Sequence, residues 1–228
     1  MKENGEQGRI WTKELYIISL IFTIFVFASG FSIGYWLSEK TVTNNVVESI
    51  KSLNSEISDV QMLLLSQEDK NVFCNLYSLI TPKLDKETWS IGEKLEAMES
   101  QNQPYDLSIK YKYFQLEFRD YILSKKASEI CNSSIVPIIY IYSNKDNECP
   151  SCREEGVALW RLRENMRNSS YVVRLYSFDG SMNDSYVVKA IYNIFNIKKG
   201  VYPVIVVRDE VFYGYMDERK IENVIKNK

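Results

Sequence analysis

An uncharged apolar run near the amino terminus constrains this 228-residue chain more than any other feature. From Leu15 to Leu37 there are 23 consecutive residues without a charged side chain. As a helix the run is roughly 34 Å long, slightly more than the hydrocarbon core of a bilayer. Aromatic side chains, which membrane interfaces favour, stand near both of its ends: Trp11, Tyr16, Tyr35 and Trp36. The run therefore predicts one transmembrane helix over residues 15–37, preceded by an N-terminal tail of residues 1–14.

The charges that flank this run predict its orientation. Lys2, Arg9 and Lys13 precede it together with the amino terminus, whereas Lys40 and Lys51 follow it. Because positive charges are enriched on the cytoplasmic side of a membrane, the tail is expected in the cytoplasm. The prediction is a single-pass membrane protein with an extracytoplasmic C-terminal domain, in a compartment where disulfides persist.

Two alternatives concern the same run. Ala28-Ser29-Gly30 resembles the small-residue cleavage site of a signal peptide, but the run is longer than an ordinary signal sequence, which favours an uncleaved anchor. Gly30 and Gly34 form a GxxxG spacing that lets two helices approach closely. A homodimer formed through this helix is therefore an alternative to a monomer.

Residues 41–130 predict an all-α helical segment. Apolar residues recur at intervals of four and three, which is the seam of an amphipathic helix: Val46, Ile50, Leu53, Ile57, Val60 and Leu64. The seam fits either a second chain or the helices that follow it. Thr81-Pro82 predicts the start of a second helix that ends near Ser100, and Asp106 predicts the cap of a third that ends near Ile130. This segment is interpreted as a stalk.

From residue 133 to residue 228 the pattern changes to an α/β one, in the order βαβαββα. Short apolar runs predict strands, and segments with helical periodicity separate them. The strands are predicted at 135–142, 171–178, 203–207 and 211–215, and the helices after Cys149, at 184–197 and after Met216. The first two strands should be parallel because a helix connects them, and the last two should form a hairpin.

Composition excludes several kinds of chemistry. The chain has no histidine, which removes Ser-His-Asp and Cys-His catalytic groups and imidazole ligands. No GxGxxG or GxxxxGK[ST] motif is present, so the usual phosphate-binding loops are missing. A net charge of −2 gives no overall attraction to nucleic acid. We therefore predict no cofactor, no metal and no nucleic-acid partner.

The motif that carries chemistry is Cys149-Pro150-Ser151-Cys152, placed between a strand and a helix. Pro150 suits the first position of that helix. The amino end of a helix carries partial positive charge, which stabilises a thiolate on Cys149 and lowers its pKa. Cys149 is therefore predicted to be the nucleophile. Cys152, one turn further and more enclosed, would resolve the mixed disulfide.

This arrangement resembles the thioredoxin superfamily over about residues 133–228. The resemblance rests on a CxxC motif at a helix start in a βαβ unit, followed by an apolar strand that opens with Tyr202-Pro203, a hairpin and a final helix. It implies that Pro203 is cis, faces the CxxC motif and, with Tyr202, borders the substrate groove. Proline after the first cysteine resembles the DsbA-like and glutaredoxin-like branches.

The sequence departs from that family at two places. Glu148 stands where thioredoxins usually carry tryptophan, and its negative charge would oppose the thiolate of Cys149. The family often holds a buried acid on the first strand, whereas the residue six positions before Cys149 is Ser143. Asp146 or Glu148 could supply a proton relay instead.

Cys74 and Cys131 form the second cysteine pair, 57 residues apart. Outside the cytoplasm two spare cysteines usually pair, so a structural disulfide is predicted. A second redox couple and two separate buried thiols are the alternatives. A four-thiolate zinc site that includes Cys149 and Cys152 is disfavoured, because Cys74 and Cys131 lack CxxC spacing.

Taken together, these features predict a membrane-anchored thiol-disulfide oxidoreductase that acts on exported proteins. Pro150 and the compartment favour oxidation or isomerisation over reduction. The expected partners are protein thiol or disulfide substrates and a membrane redox partner that recycles the CxxC pair. The alternative is a non-catalytic, membrane-tethered assembly protein that uses the same fold to bind a partner.

Overall fold

The computed structural model describes residues 4–65, 70–100, 106–131, 134–145 and 147–227. These residues form a mixed α/β fold with one four-stranded sheet. Its helices are α1 (Asn4–Leu65), α2 (Lys70–Ser100), α3 (Leu107–Ile130), α4 (Cys152–Asn165), α5 (Tyr186–Ile194) and α6 (Glu218–Lys226), with a short 3-10 helix at Met166–Asn168. Its strands are β1 (Ile135–Tyr142), β2 (Val172–Asp179), β3 (Val204–Val207) and β4 (Glu210–Tyr213). From Ile135 onward the elements follow the predicted order.

The chain divides into two compact units, Met1–Val46 and Val47–Lys228. In the first unit α1 carries a 20-residue stretch, Leu15–Gly34, with a mean hydropathy of 2.2 and no buried share. This part of the helix is long and apolar enough to cross a membrane. Residues 1–3 of the predicted tail lie outside the described residues.

In the second unit the last turns of α1 pack on other helices of the same chain. The seam residues Ile50, Leu53 and Ile57 are at most 1% exposed. Glu56 forms an ion pair with Lys83 of α2, and Asn54 Oδ1 accepts a 3.5 Å hydrogen bond from Arg119 of α3. The sequence left open whether the seam meets a second chain or the helices that follow. These three seam residues pack on the helices that follow. The side chain of Leu64 lies outside the described residues.

The predicted helix start at Pro82 is wrong, because α2 runs through it from Lys70 to Ser100. Thr81 does not cap a new helix; its Oγ1 donates a 2.6 Å hydrogen bond to the carbonyl oxygen of Tyr77 one turn earlier. Proline inside a helix costs about 3 kcal/mol. Burial of Tyr77 before it and Leu84 after it, at 2% and 0% exposed, offsets that cost. The predicted cap of α3 at Asp106 is confirmed, since its side chain accepts from the N–H of Ser108.

The sheet has the strand order β2-β1-β3-β4. β1 and β2 are parallel, β3 is antiparallel to β1, and β3 and β4 form the predicted hairpin. One face of the sheet packs on α4 and α6 through an apolar core that consists mainly of Val136, Ile138, Tyr140, Leu159, Leu162, Ile205, Ile221 and Ile225. β1 and β3 are the two central strands, and the chain leaves the carboxyl end of β1 towards the CxxC segment.

Helix α3 covers the opposite face of the sheet. Asp120 forms a buried ion pair with Arg174 of β2 at 2.5 Å, and Ser124 and Tyr176 share a buried hydrogen bond of 2.5 Å. The ring of Phe114 meets that of Phe178 edge-on. Although the sequence suggests a stalk, part of the helical segment is therefore a layer of the fold itself.

Candidate redox site

The two cysteines of the CxxC motif lie where β1 has ended and α4 begins. They form a disulfide with Cα atoms 5.4 Å apart. The helix starts at Cys152 rather than at Pro150, so the predicted start is two residues too early. Residues 149–152 form a turn in which the N–H of Cys152 donates to the carbonyl oxygen of Cys149 at 3.4 Å, and the helical ladder begins only with Glu155 N–H to Ser151 O. Cys149 thus precedes the helix by one turn.

The two sulfurs differ in access to solvent. Cys149 is partly exposed, whereas Cys152 is 9% exposed. The hydroxyl of Tyr140 on β1 donates a 2.6 Å hydrogen bond to the carbonyl oxygen of Cys152 and fixes the start of α4 on the sheet. Burial raises the pKa of Tyr140, so it remains a neutral donor. An external thiol can reach Cys149 more easily than Cys152.

Pro203 lies at the same edge of the sheet. β3 is antiparallel to β1 with Val204 opposite Ile141, so Pro203 stands one residue further on, beside the end of β1. The Tyr202–Pro203 peptide bond is cis, as the resemblance implied. Pro203 is buried and its carbonyl oxygen accepts a 2.9 Å hydrogen bond from Gly214 N–H.

Tyr202 is held in place by residues that the sequence did not single out. It is partly buried, and its hydroxyl accepts from that of Tyr192 at 3.5 Å. A Cβ on Gly180 would lie 2.5 Å from the Tyr202 ring and 2.6 Å from the Tyr192 hydroxyl. Gly180 is therefore required for this close approach. Its only sequence signal is a glycine two residues after the predicted strand at 171–178.

Glu155 is a buried acid that sequence reasoning missed. It follows Cys152 by one helical turn and is 0% exposed. Its Oε2 accepts a 2.7 Å hydrogen bond from the N–H of Met216, whereas its Oε1 has no hydrogen-bond partner among the described residues. Burial raises the pKa of Glu155 to about 7. Because residues three apart are neighbours on a helix, this carboxyl shares a helix face with Cys152 and can exchange a proton near neutral pH.

The two acids proposed from sequence as a proton relay have other positions. Asp146 lies outside the described residues. Glu148 is 40% exposed, and its Oε2 accepts a 2.6 Å hydrogen bond from Ser143. Its Oε1 lies 3.7 Å from Lys145 Nζ. Glu148 is thus held in the loop before Cys149.

Cys74 and Cys131 form the other disulfide, with Cα atoms 5.5 Å apart. Cys131 directly follows α3 and precedes β1, whereas the CxxC pair follows β1. The eight residues of β1 span roughly 23 Å. The two cysteine pairs therefore lie towards opposite ends of the strand, which argues against direct electron transfer between them and against a four-thiolate metal site.

Comparison with protein-family models, curated proteins and solved structures finds no match to this chain. The geometry of the described residues brings one accessible sulfur, one buried sulfur and a buried carboxyl to the edge of the sheet where β3 begins. Such an arrangement can exchange a disulfide with an external thiol at Cys149, while Cys152 and Glu155 are shielded from solvent.

Proposed function

We propose that residues 133–228 form a thioredoxin-like domain and that the chain is a membrane-anchored thiol-disulfide oxidoreductase acting on exported proteins. One observation carries the proposal. The Cys149–Cys152 disulfide, with one accessible and one buried sulfur, follows β1, and Pro203 stands beside the carboxyl end of that strand. The apolar segment Leu15–Gly34 supplies the anchor. The positive charges before it support a cytoplasmic amino terminus and an extracytoplasmic sheet.

In the oxidising direction, a substrate thiolate attacks Cys149 Sγ and the Cys149–Cys152 bond breaks. Cys152 leaves as a thiolate and takes up a proton, for which Glu155 is the donor on the same helix face. A second substrate thiolate then attacks the mixed disulfide and releases Cys149. The substrate loses two electrons and the CxxC pair gains them, so a disulfide-bearing or quinone-linked membrane partner must accept them to regenerate the pair. Pro150 and the expected extracytoplasmic compartment support oxidation or isomerisation over reduction.

A trapping experiment tests the proposal. Cys152→Ala in the full chain should accumulate mixed disulfides with exported proteins through Cys149, visible as reducible adducts on non-reducing gels. Cys149→Ser should give none, and it should also abolish the oxidation of a reduced, unfolded substrate. If Cys149→Ser keeps all function and Cys152→Ala traps nothing, the chain is a non-catalytic tether instead.

A further inference from the structure

A chain of polar contacts connects the helical segment to the loop that carries Cys149. It starts at Lys110 of α3, which is only 5% exposed. Lys110 Nζ lies 2.6 Å from Glu99 Oε1, at the end of α2, and 3.0 Å from Asp179 Oδ2, at the end of β2. A buried ammonium group is stable only when carboxylates compensate for its lost hydration. Glu99 therefore has a fixed position.

Glu99 in turn holds the loop between β1 and the CxxC turn. Its Oε2 accepts a 2.7 Å hydrogen bond from Asn144 Nδ2. The neighbouring Ser143 donates to Glu148 at 2.6 Å, and the N–H of Glu148 donates to the carbonyl oxygen of Lys145 at 3.2 Å. Glu148 immediately precedes Cys149. The contacts thus extend from two helices outside the sheet to the residue next to the exposed sulfur.

We propose that Glu99 and Lys110 are positioning residues of the redox site, and that the helical segment sets the stability of the Cys149–Cys152 disulfide through Asn144. The inference rests on the proposed function. Cys152 is fixed on α4, so the effective concentration of the two thiols depends on how narrowly the preceding loop restricts Cys149. A restrained loop raises that effective concentration and favours the disulfide over the dithiol.

The equilibrium with glutathione measures this effect in the full chain, solubilised in detergent. One glutathione disulfide oxidises the Cys149–Cys152 dithiol to the disulfide and becomes two glutathione thiols. We expect Asn144→Ala and Glu99→Ala each to lower the equilibrium constant about threefold to tenfold, the factor that one exposed hydrogen bond of ordinary strength contributes. The double variant should fall no further than Glu99→Ala alone, because both remove the same contact.

Asn165→Ala is the matched control. Asn165 is also exposed and donates to a glutamate, Glu218, at 2.6 Å, but it lies at the far end of α4. This variant should leave the equilibrium constant unchanged. Asn144→Asp places a carboxylate against Glu99 and should lower the constant at least as far as Asn144→Ala. It carries the test if Glu99→Ala does not fold.

The possible failures can be distinguished. A wild-type pair that does not exchange with glutathione at all would overturn the proposed function, and the inference with it. A wild-type pair that exchanges, with Asn144→Ala and Asn144→Asp equal to wild type, would overturn the positioning role alone. Additive losses in the double variant would overturn the connection between Glu99 and Asn144.

Discussion

At the scale of single residues, the proposed chemistry depends on a carboxyl group whose environment the sequence does not reveal. Glu155 lies in a helix rich in charged residues, where an acidic side chain is usually solvated. Its burial arises because Met216, far along the chain, brings its backbone N–H against it. A periodicity argument places Glu155 on the same face as Cys152 but cannot detect such a distant contact.

Glu155→Gln tests the proton-transfer role. The amide oxygen can keep the hydrogen bond from Met216 and the amide nitrogen can occupy the unpartnered position, so the fold should be retained. We expect slower formation of the mixed disulfide with a substrate thiol, by about a hundredfold, with unchanged alkylation of Cys149 in the reduced protein. An unchanged rate of mixed-disulfide formation would exclude Glu155 from this step.

The same substitution predicts a change in pH dependence. Burial raises the pKa of Glu155 from 4.5 to about 7, so the folded protein binds this proton more tightly than the unfolded chain. The stabilisation of the folded protein by this proton is complete below about pH 4.5 and is lost as the pH rises through 7. Urea unfolding between pH 4.5 and 7 should therefore show a flatter pH profile for Glu155→Gln than for wild type. An identical slope would contradict the raised pKa.

Glu148 is expected to affect the thiol pKa of the neighbouring Cys149. An adjacent carboxylate disfavours a thiolate, so Glu148→Gln should lower the pKa of the Cys149 thiol. Because exposed charges interact weakly, we expect alkylation at neutral pH to speed up only about twofold to fivefold. Glu164→Gln, at the far end of α4, is the control and should leave the alkylation rate as in wild type.

At the scale of elements, strands were predictable and helix boundaries less so. The run from Ile135 to Tyr142 is continuously apolar, as a central strand buried on both faces requires, and the observed strand has the predicted bounds. Pro82 misled the prediction because local preference favours a helix start there, whereas packing of Tyr77 and Leu84 keeps α2 continuous. Local signals fail where burial on both sides of a residue outweighs them.

The disulfide between α2 and the end of α3 should act on stability alone. Replacing both Cys74 and Cys131 by alanine should lower the free energy of unfolding by about 4 kcal/mol, because the bond closes a long loop in the unfolded chain. The glutathione equilibrium of Cys149–Cys152 should not change, since the two pairs lie towards opposite ends of β1. A shift in that equilibrium would instead support communication between them.

The connection after β2 has a steric requirement that a single methyl group tests. Gly180→Ala would place a Cβ 2.5 Å from the ring of Tyr202. We expect the free energy of unfolding to fall by about 1–3 kcal/mol, and exchange with peptide disulfides to slow while alkylation of Cys149 by a small reagent does not. Gly156→Ala, whose nearest neighbour would be 4.0 Å away, is the control.

At the scale of the whole molecule, the sequence separated the helical segment from the sheet, whereas the folded chain joins them. Arg174 in β2 reads as a polar interruption of a strand, yet it is 2% exposed and pairs with Asp120 of α3. Contacts of this kind connect residues 54 positions apart. They depend on how the helix layer packs on the sheet, which local sequence patterns do not predict.

The proposed orientation is also testable on the complete chain. In intact cells under mildly reducing conditions, a membrane-impermeant maleimide should label Cys149. A cysteine introduced by Lys13→Cys, in a background that carries both Cys149→Ser and Cys152→Ser, should react only after lysis. Labelling of Lys13→Cys in intact cells would show that the amino terminus lies outside the cytoplasm. Extraction of the chain by alkaline carbonate would argue against a membrane anchor.

The Cys74–Cys131 bond has a consequence for proteolytic damage. Any backbone cut between these two cysteines leaves the fragments covalently linked through sulfur. The fragment that carries the sheet would then stay attached to the fragment that carries the apolar N-terminal helix. After a cut between the two cysteines, release of the sheet would also require reduction of this bond, so an oxidising environment protects a chain nicked there.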